Sequence, residues 1–347
     1  MSARTSKVLA TTLLLLTAAT AFYAMFLCPT AKRDLFPAFA TMKRTGAFPD
    51  GMPLRTRYTG VRALDRTLTA LAGFFSLVVD GHDPATYAFG AWFLPQLGPL
   101  LVCLYAGTGA RGAARYPTVF LALMQLFTSG VFMSLFFAAL VFGTSTLSSA
   151  IPTPRAFDAK HILPAIALGF YAPSILLFAS PALGFSINVR QCIAAAWQFF
   201  PAYTWLAFKI LPSSSNTPAE TKNALTRAYK ITGALCAVAH VSILISCIIS
   251  GLGLDAFVPP YLRAVQSHPV APYRLALRVF FMHDWATTTI AQLTFYVWAV
   301  STRPGGVGLA SWLVKFVGVA LVGGPGAAFA WAGVEREEAV EGHAKKT

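Results

Sequence analysis

Residues 278–300, RVFFMHDWATTTIAQLTFYVWAV, are almost wholly apolar yet carry a carboxyl group, Asp284, a short way in from their basic end. The stretch has about the length of a helix that crosses a bilayer. An ionisable side chain costs free energy in such a segment, so its presence there points to a function. Steps of four from Asp284 reach Thr288, Gln292 and Tyr296, which puts all four on one helix face. Lipid rejects that face, so it is expected to turn into the protein or toward a wet cavity. The plainer alternative is a hydrogen-bonding stripe that joins helices. A carboxyl in low dielectric is disfavoured as the anion and keeps its proton. It can then hand that proton to an epoxide oxygen or an alkene. The resulting carbocation has to be kept from water, and aromatic faces stabilise it. Phe281 and Trp285 flank Asp284 in sequence, although most aromatics here are expected to be core or interfacial-belt residues.

The chain around this stretch has the composition of a membrane protein. Hydrophobic residues make up 56% of it and charged residues 12%, where a soluble domain carries roughly a quarter charged. Apolar runs recur at 8–28, 61–79, 86–106, 117–142, 161–180, 190–211, 231–252, 278–300 and 308–332. The expected architecture is all-α, a multi-pass transmembrane helical bundle of about nine spans, with 1–347 as a single integral membrane domain. Residues 29–61 read as a basic cytosolic loop, with Lys32, Arg33, Lys43, Arg44, Arg55 and Arg57, and 333–347 as a polar C-terminal tail. The net charge of +14 then reflects topology determinants and lipid-headgroup contacts, not a nucleic-acid surface. That topology puts the 107–116, 181–189 and 253–277 loops in the cytosol and leaves only 212–230 on the wrong side. It also brings Asp65 and Asp284 in from the same membrane face. The five cysteines show no metal or disulfide spacing and read as small core residues.

Other polar groups fall inside the apolar runs. Asp65 opens 61–79, and Asp80 and Asp83 close it in VVDGHDP. A continuous helix separates Asp65 from Asp80 by ~22 Å. Asp65 has a snorkelling interfacial role as its alternative, and Asp80 and Asp83 read most simply as a turn and a helix N-cap. Gln96 lies between Pro95 and Pro99, prolines that should kink the helix and free backbone carbonyls inside the bundle. Gln125 and Ser129 share helical spacing in 117–142, and His240 stands alone in 231–252. Gln125, Gln292 and His240 are candidates to hold a substrate's polar head, with His240 otherwise a hydrogen-bonded core residue. His283 points about 100° away from Asp284 on a helix, so it is expected to orient a neighbour. Thr217-Pro218-Ala219-Glu220 reads as a capping box with proline at the first helical position.

Several enzyme classes find no support. The six histidines are unclustered, and no Gly-rich phosphate loop, Gly-x-Ser-x-Gly elbow or paired Asp-rich motif occurs. No metal or cofactor is therefore expected. The segments TGVRALDRTLTALAGFFSLVVDG, PTVF at the start of 117–142, and FFMHDWATT resemble a family of fungal multi-pass proteins, the membrane-bound meroterpenoid terpene cyclases of ascofuranone and macrophorin type. The resemblance runs from the second apolar run onward. It implies metal-free, acid-initiated cyclisation of a prenyl chain (an isomerase- or lyase-type reaction), often with an aromatic head attached. By that likeness an acid role passes to Asp284 and, less directly, to Asp65 or Asp80. Trp285, Tyr296 and Gln96 join the substrate-binding candidates. The implied partners are a prenylated small molecule, membrane lipids and other enzymes of the pathway, and the implied location is the endoplasmic reticulum. A different class also fits: a small proton-coupled transporter or lipid-binding membrane protein with Asp65 and Asp284 as a relay.

Overall fold

The computed structural model describes residues 3–107, 112–143, 158–212, 217–254, 256–258, 270–302 and 308–344. They form helices and no strand. In chain order these are α1 (Ala3–Phe22), α2 (Phe36–Thr45), α3 (Arg62–Val79), α4 (Pro84–Gln96), α5 (Gly98–Ala106), α6 (Pro117–Phe127) and α7 (Ser129–Gly143). There follow α8 (Ala159–Ile166), α9 (Ala172–Ala179), α10 (Ile187–Trp197), α11 (Phe200–Ile210), α12 (Pro218–Ile249), α13 (Pro272–Ser301) and α14 (Leu309–Ala344). Each apolar run expected as a span is helical. Five helical runs are long and apolar enough to cross a membrane by length and composition: Arg4–Thr45, Pro84–Ala106, Ala159–Ala179, Pro218–Ile249 and Leu309–Ala339. The arginines, Asp284 and threonines of α13 keep it out of that set despite its 30 residues.

Where the spans break, the sequence supplies the reason. Pro99 has no N–H to give the carbonyl of Pro95. That carbonyl instead accepts from Cys236 Sγ at 3.2 Å and Tyr171 Oη at 3.4 Å. Gln96 sits in the same gap and donates to the Cys236 carbonyl at 3.1 Å. Its Oε1 accepts the Gly326 N–H at 2.8 Å, just past the break in α14 where Gly324 takes φ 83° ahead of Pro325. The capping box at Thr217 and Glu220 forms as its residues suggest, and α12 runs on from it.

Two expectations need correction. Residues 31–45, read as part of an irregular loop, are helical: a π-turn over Ala31–Leu35 leads into α2, which ends at Gly46 in the left-handed region. The basic charges of Lys43 and Arg44 interrupt the apolar pattern but not the helix. The tail is helical too as far as Ala344, and Arg336 and Glu337 are buried as a 2.7 Å pair. Of the loop 253–277, residues 255 and 259–269 lie outside the described residues, and 272–277 already belong to α13.

The helices pack as a bundle, with α12 along α14, α7 against α1 and α13, and α10 against α3. Arg274 and Arg278, in the first two turns of α13, clamp the α3–α4 turn. Arg274 pairs with Asp80 at 2.8 Å and Asp50 at 3.1 Å, and Arg278 with Asp83 at 2.6 Å. So α13 starts where α3 ends. Asp284 lies six to ten residues along α13 from the two clamp arginines, about 9–15 Å of rise, and Asp65 lies farther off, at the opposite end of α3. Asp284 therefore does not enter from the Asp65 end, as the loop-charge topology had it.

Replacing Gln96 with Leu strands the Gly326 N–H in a buried site and takes the second donor from the Cys236 carbonyl. We expect a loss of about 2–4 kcal/mol of stability, read as a lowered thermal unfolding midpoint in detergent. An unchanged midpoint would show that Gln96 does not tie α4 to α14.

Candidate active site

The fourth apolar run is not one helix. It breaks at Thr128, whose φ of 91° and ψ of 153° fall in a region that a β-branched residue rarely occupies. The break starts a new helix, α7, whose first N–H groups have no partner within the helix. One of them, Gly130 N–H, donates to Asp284 Oδ1 at 2.6 Å. The neighbouring Ser129 Oγ lies 2.8 Å from Thr288 Oγ1, and Thr288 Oγ1 in turn donates to the Asp284 carbonyl at 2.7 Å. A Cβ on residue 130 would stand 2.0 Å from Thr287 Oγ1, so only glycine lets α7 come this close to α13. Gly130 thus holds the carboxyl through Oδ1, with Ser129 and Thr128 also set against it. Asp284 is 9% exposed and forms no ion pair among the described residues.

Asp284 lies in the wall of a cavity of about 460 Å³, within the usual range of small-molecule sites. The wall is rich in phenyl and indole rings. Phe74 stacks on Phe281 with centroids 5.0 Å apart and meets Phe280 edge-on at 5.2 Å. Phe75 faces Trp197 at 4.5 Å, and Trp197 meets Phe200 at 5.4 Å. The polar side chains of the lining are Lys43, Gln125, Thr128, Ser129 and Asp284. Among the described residues the Gln125 amide nitrogen, at the cavity wall, is buried without a hydrogen-bond partner.

Of the other residues singled out from the sequence, Gln125, Ser129 and Phe281 line this cavity with Asp284. Asp65 is elsewhere. Its Oδ1 accepts from the backbone N–H groups of Tyr58 and Thr59 and from the Thr59 hydroxyl, and its Oδ2 from Gly60 N–H. It holds the loop before α3. Asp80 is bound to Arg274, and Asp83 caps α4. Gln292 and Tyr296 are buried on the face of Asp284, as their spacing implies, but lie outside the lining. Tyr296 stacks on Phe329 at 6.0 Å. Trp285 packs edge-on against Trp92 at 5.3 Å, and His240 Nδ1 accepts from Trp92 Nε1 at 2.8 Å. Gln96 ties α4 to α14, and His283 is half-buried outside the cavity lining.

Residues 9–341 match the CtvD domain. The chain belongs to the CtvD-domain family. Among curated proteins it is similar to terpene cyclase janA of Penicillium janthinellum, 27% identical over 277 residues, covering 77% of this chain and 75% of that one. Terpene cyclase ascI of Acremonium egyptiacum is 25% identical over 265 residues, covering 72% and 68%. Terpene cyclase penA of Penicillium crustosum is 23% identical over 243 residues, covering 68% and 65%. No solved structure matches.

In this CtvD-domain chain the sequence reading missed Thr128 and Gly130, which make the break that holds Asp284. Nor did it single out Trp197 and Phe200, which both line the cavity. The available signal was Thr-Ser-Gly at 128–130 in the middle of an apolar run. Gly130→Ala should cost about 1–3 kcal/mol through overpacking and lower turnover with it. Gly318→Ala, where a Cβ meets nothing within 4 Å, should leave the protein as stable or slightly more so. Equal unfolding midpoints for the two variants in detergent would contradict the close approach described here.

Proposed function

We propose that this chain is a terpene cyclase that starts ring closure by protonating an epoxide or alkene of a prenylated, meroterpenoid-type substrate, without a metal. The observation that carries the reading is Asp284, anchored by Gly130 and set into an aromatic-walled cavity without a cationic partner. With Oδ1 held, Oδ2 is the oxygen left to carry the proton. The names of the relatives, three terpene cyclases, point the same way.

The steps balance as an isomerisation. The Oδ2 proton passes to the epoxide oxygen, which leaves its carbon and becomes a hydroxyl, or to an alkene carbon. The electron-deficient carbon is attacked by the π electrons of the next double bond, forming a ring C–C bond and moving the positive charge along the chain. Loss of a proton from carbon ends the sequence, and Asp284 is reprotonated. The rings of Phe74, Phe281 and Trp197 face the moving charge and exclude water. The Gln125 amide gives the polar end a hydrogen-bonding partner. A site of this kind inside an apolar bundle suits a substrate delivered from lipid, consistent with a multi-pass protein of the endoplasmic reticulum membrane. The transporter reading relies on Asp65 and Asp284 as a relay. Asp65 is fully engaged by its own loop and faces a different cleft, which favours the cyclase.

Microsomes containing the chain, mixed with farnesylated phenols and their epoxides, should yield cyclised isomers. Asp284→Asn should lower turnover by at least about 100-fold while membrane insertion persists. Normal cyclisation by that variant would overturn the role, and proton-coupled uptake without chemical change would replace the cyclase with a transporter.

A further inference from the structure

The aromatic cavity shares two wall residues, Ala40 and Lys43, with a second, open cleft of about 590 Å³. The cleft is lined by Lys43, Arg44, Arg57, Arg62 and Arg66. None of these five cations forms an ion pair with a described residue. The acid in the cleft, Asp65, is turned inward, with both oxygens taken by the loop 58–60. It therefore shapes the cleft, whose lining sets five cations against this one carboxylate. Two consecutive segments contribute: the last turn of α2, and the loop and first turns leading into α3. The two hollows thus adjoin at Ala40 and Lys43, a multiply cationic mouth beside a greasy interior whose wall carries a carboxyl. That is the complement of a molecule with an anionic end and a long apolar tail.

We propose that the basic cleft docks an anionic head group of the substrate, a carboxylate or acidic phenolate on a prenylated arene, with the chain threaded past Lys43 into the aromatic cavity. This rests on the cyclase reading, since it takes the aromatic cavity as the seat of the chain. It selects acids over neutral analogues and fixes which end of the chain reaches Asp284. The phosphate of an anionic lipid has the same chemistry and is the rival occupant.

The test uses the full chain in nanodiscs of phosphatidylcholine alone. The probes are a farnesylated hydroxybenzoic acid and its methyl ester, titrated calorimetrically. The acid should bind roughly tenfold more tightly than the ester, and the advantage should shrink as salt rises. In R57Q/R62Q/R66Q acid and ester should bind alike. R57K/R62K/R66K should restore the difference, which separates lost charge from lost fold. Adding phosphatidylserine should leave the acid's affinity in place. Equal binding of acid and ester to the natural chain overturns the head-group proposal and leaves the cavity reading standing. Phosphatidylserine that displaces the acid, or binds through the same arginines while acid and ester do not differ, assigns the cleft to lipid and overturns it as well. Failure of both probes to bind removes the cavity reading itself.

Discussion

The site depends on one hydrogen bond, from the first turn of a broken helix to a carboxyl on its neighbour. A continuous helix over 117–143 would spend its N–H groups on its own carbonyls and offer Asp284 nothing. The break at Thr128 releases them, and Gly130 presents one at 2.6 Å. A lone carboxyl in an apolar bundle would otherwise find a cation or leave for water. Here it is held by a neutral donor, with an aromatic wall at its other side. The strained backbone at Thr128 is sustained because α7 packs on both α1 and α13.

Apart from Lys43 in the cavity wall, the remaining charges described here are engaged away from Asp284. Arg274 and Arg278 are the cations closest to it along α13, and both are spoken for by Asp80, Asp50 and Asp83. The clamp also sets the relative level of α3 and α13, which brings Phe74 and Phe75 opposite Phe281. At the other end of α3, Asp65 is tied up by backbone N–H groups, and the cations there face an open cleft. Charge is thus layered along the bundle. A salt-bridged end and a basic end lie on either side of a neutral aromatic middle.

Much of this was legible in the residues. The face shared by Asp284, Thr288, Gln292 and Tyr296 follows from helical spacing, and all four side chains are buried. The capping box at Thr217 and the freed carbonyl of Pro95 followed from local chemistry and are present in the fold. What periodicity could not supply was which part of a buried face meets a hollow. Gln292 and Tyr296 differ from Asp284 only in what packs against them, and that is set by helices distant in sequence. Trp197 shows the same limit, since an aromatic near a span's end looks alike whether it faces lipid or a cavity. The helical course of 31–45 was hidden by its charges, which lower hydropathy without lowering helix propensity.

The central claim is that Asp284 and the surrounding rings stabilise positive charge on a prenyl chain. A farnesyl-chain tertiary amine, cationic at neutral pH, mimics the first cation, and its carbon isostere does not. Titrating both into the protein in phosphatidylcholine nanodiscs measures the claim directly. The account predicts that the ammonium binds about tenfold or more tightly than the isostere, and that Asp284→Asn removes most of that preference. Equal affinities in the natural chain, or a preference that survives intact in Asp284→Asn, would contradict it.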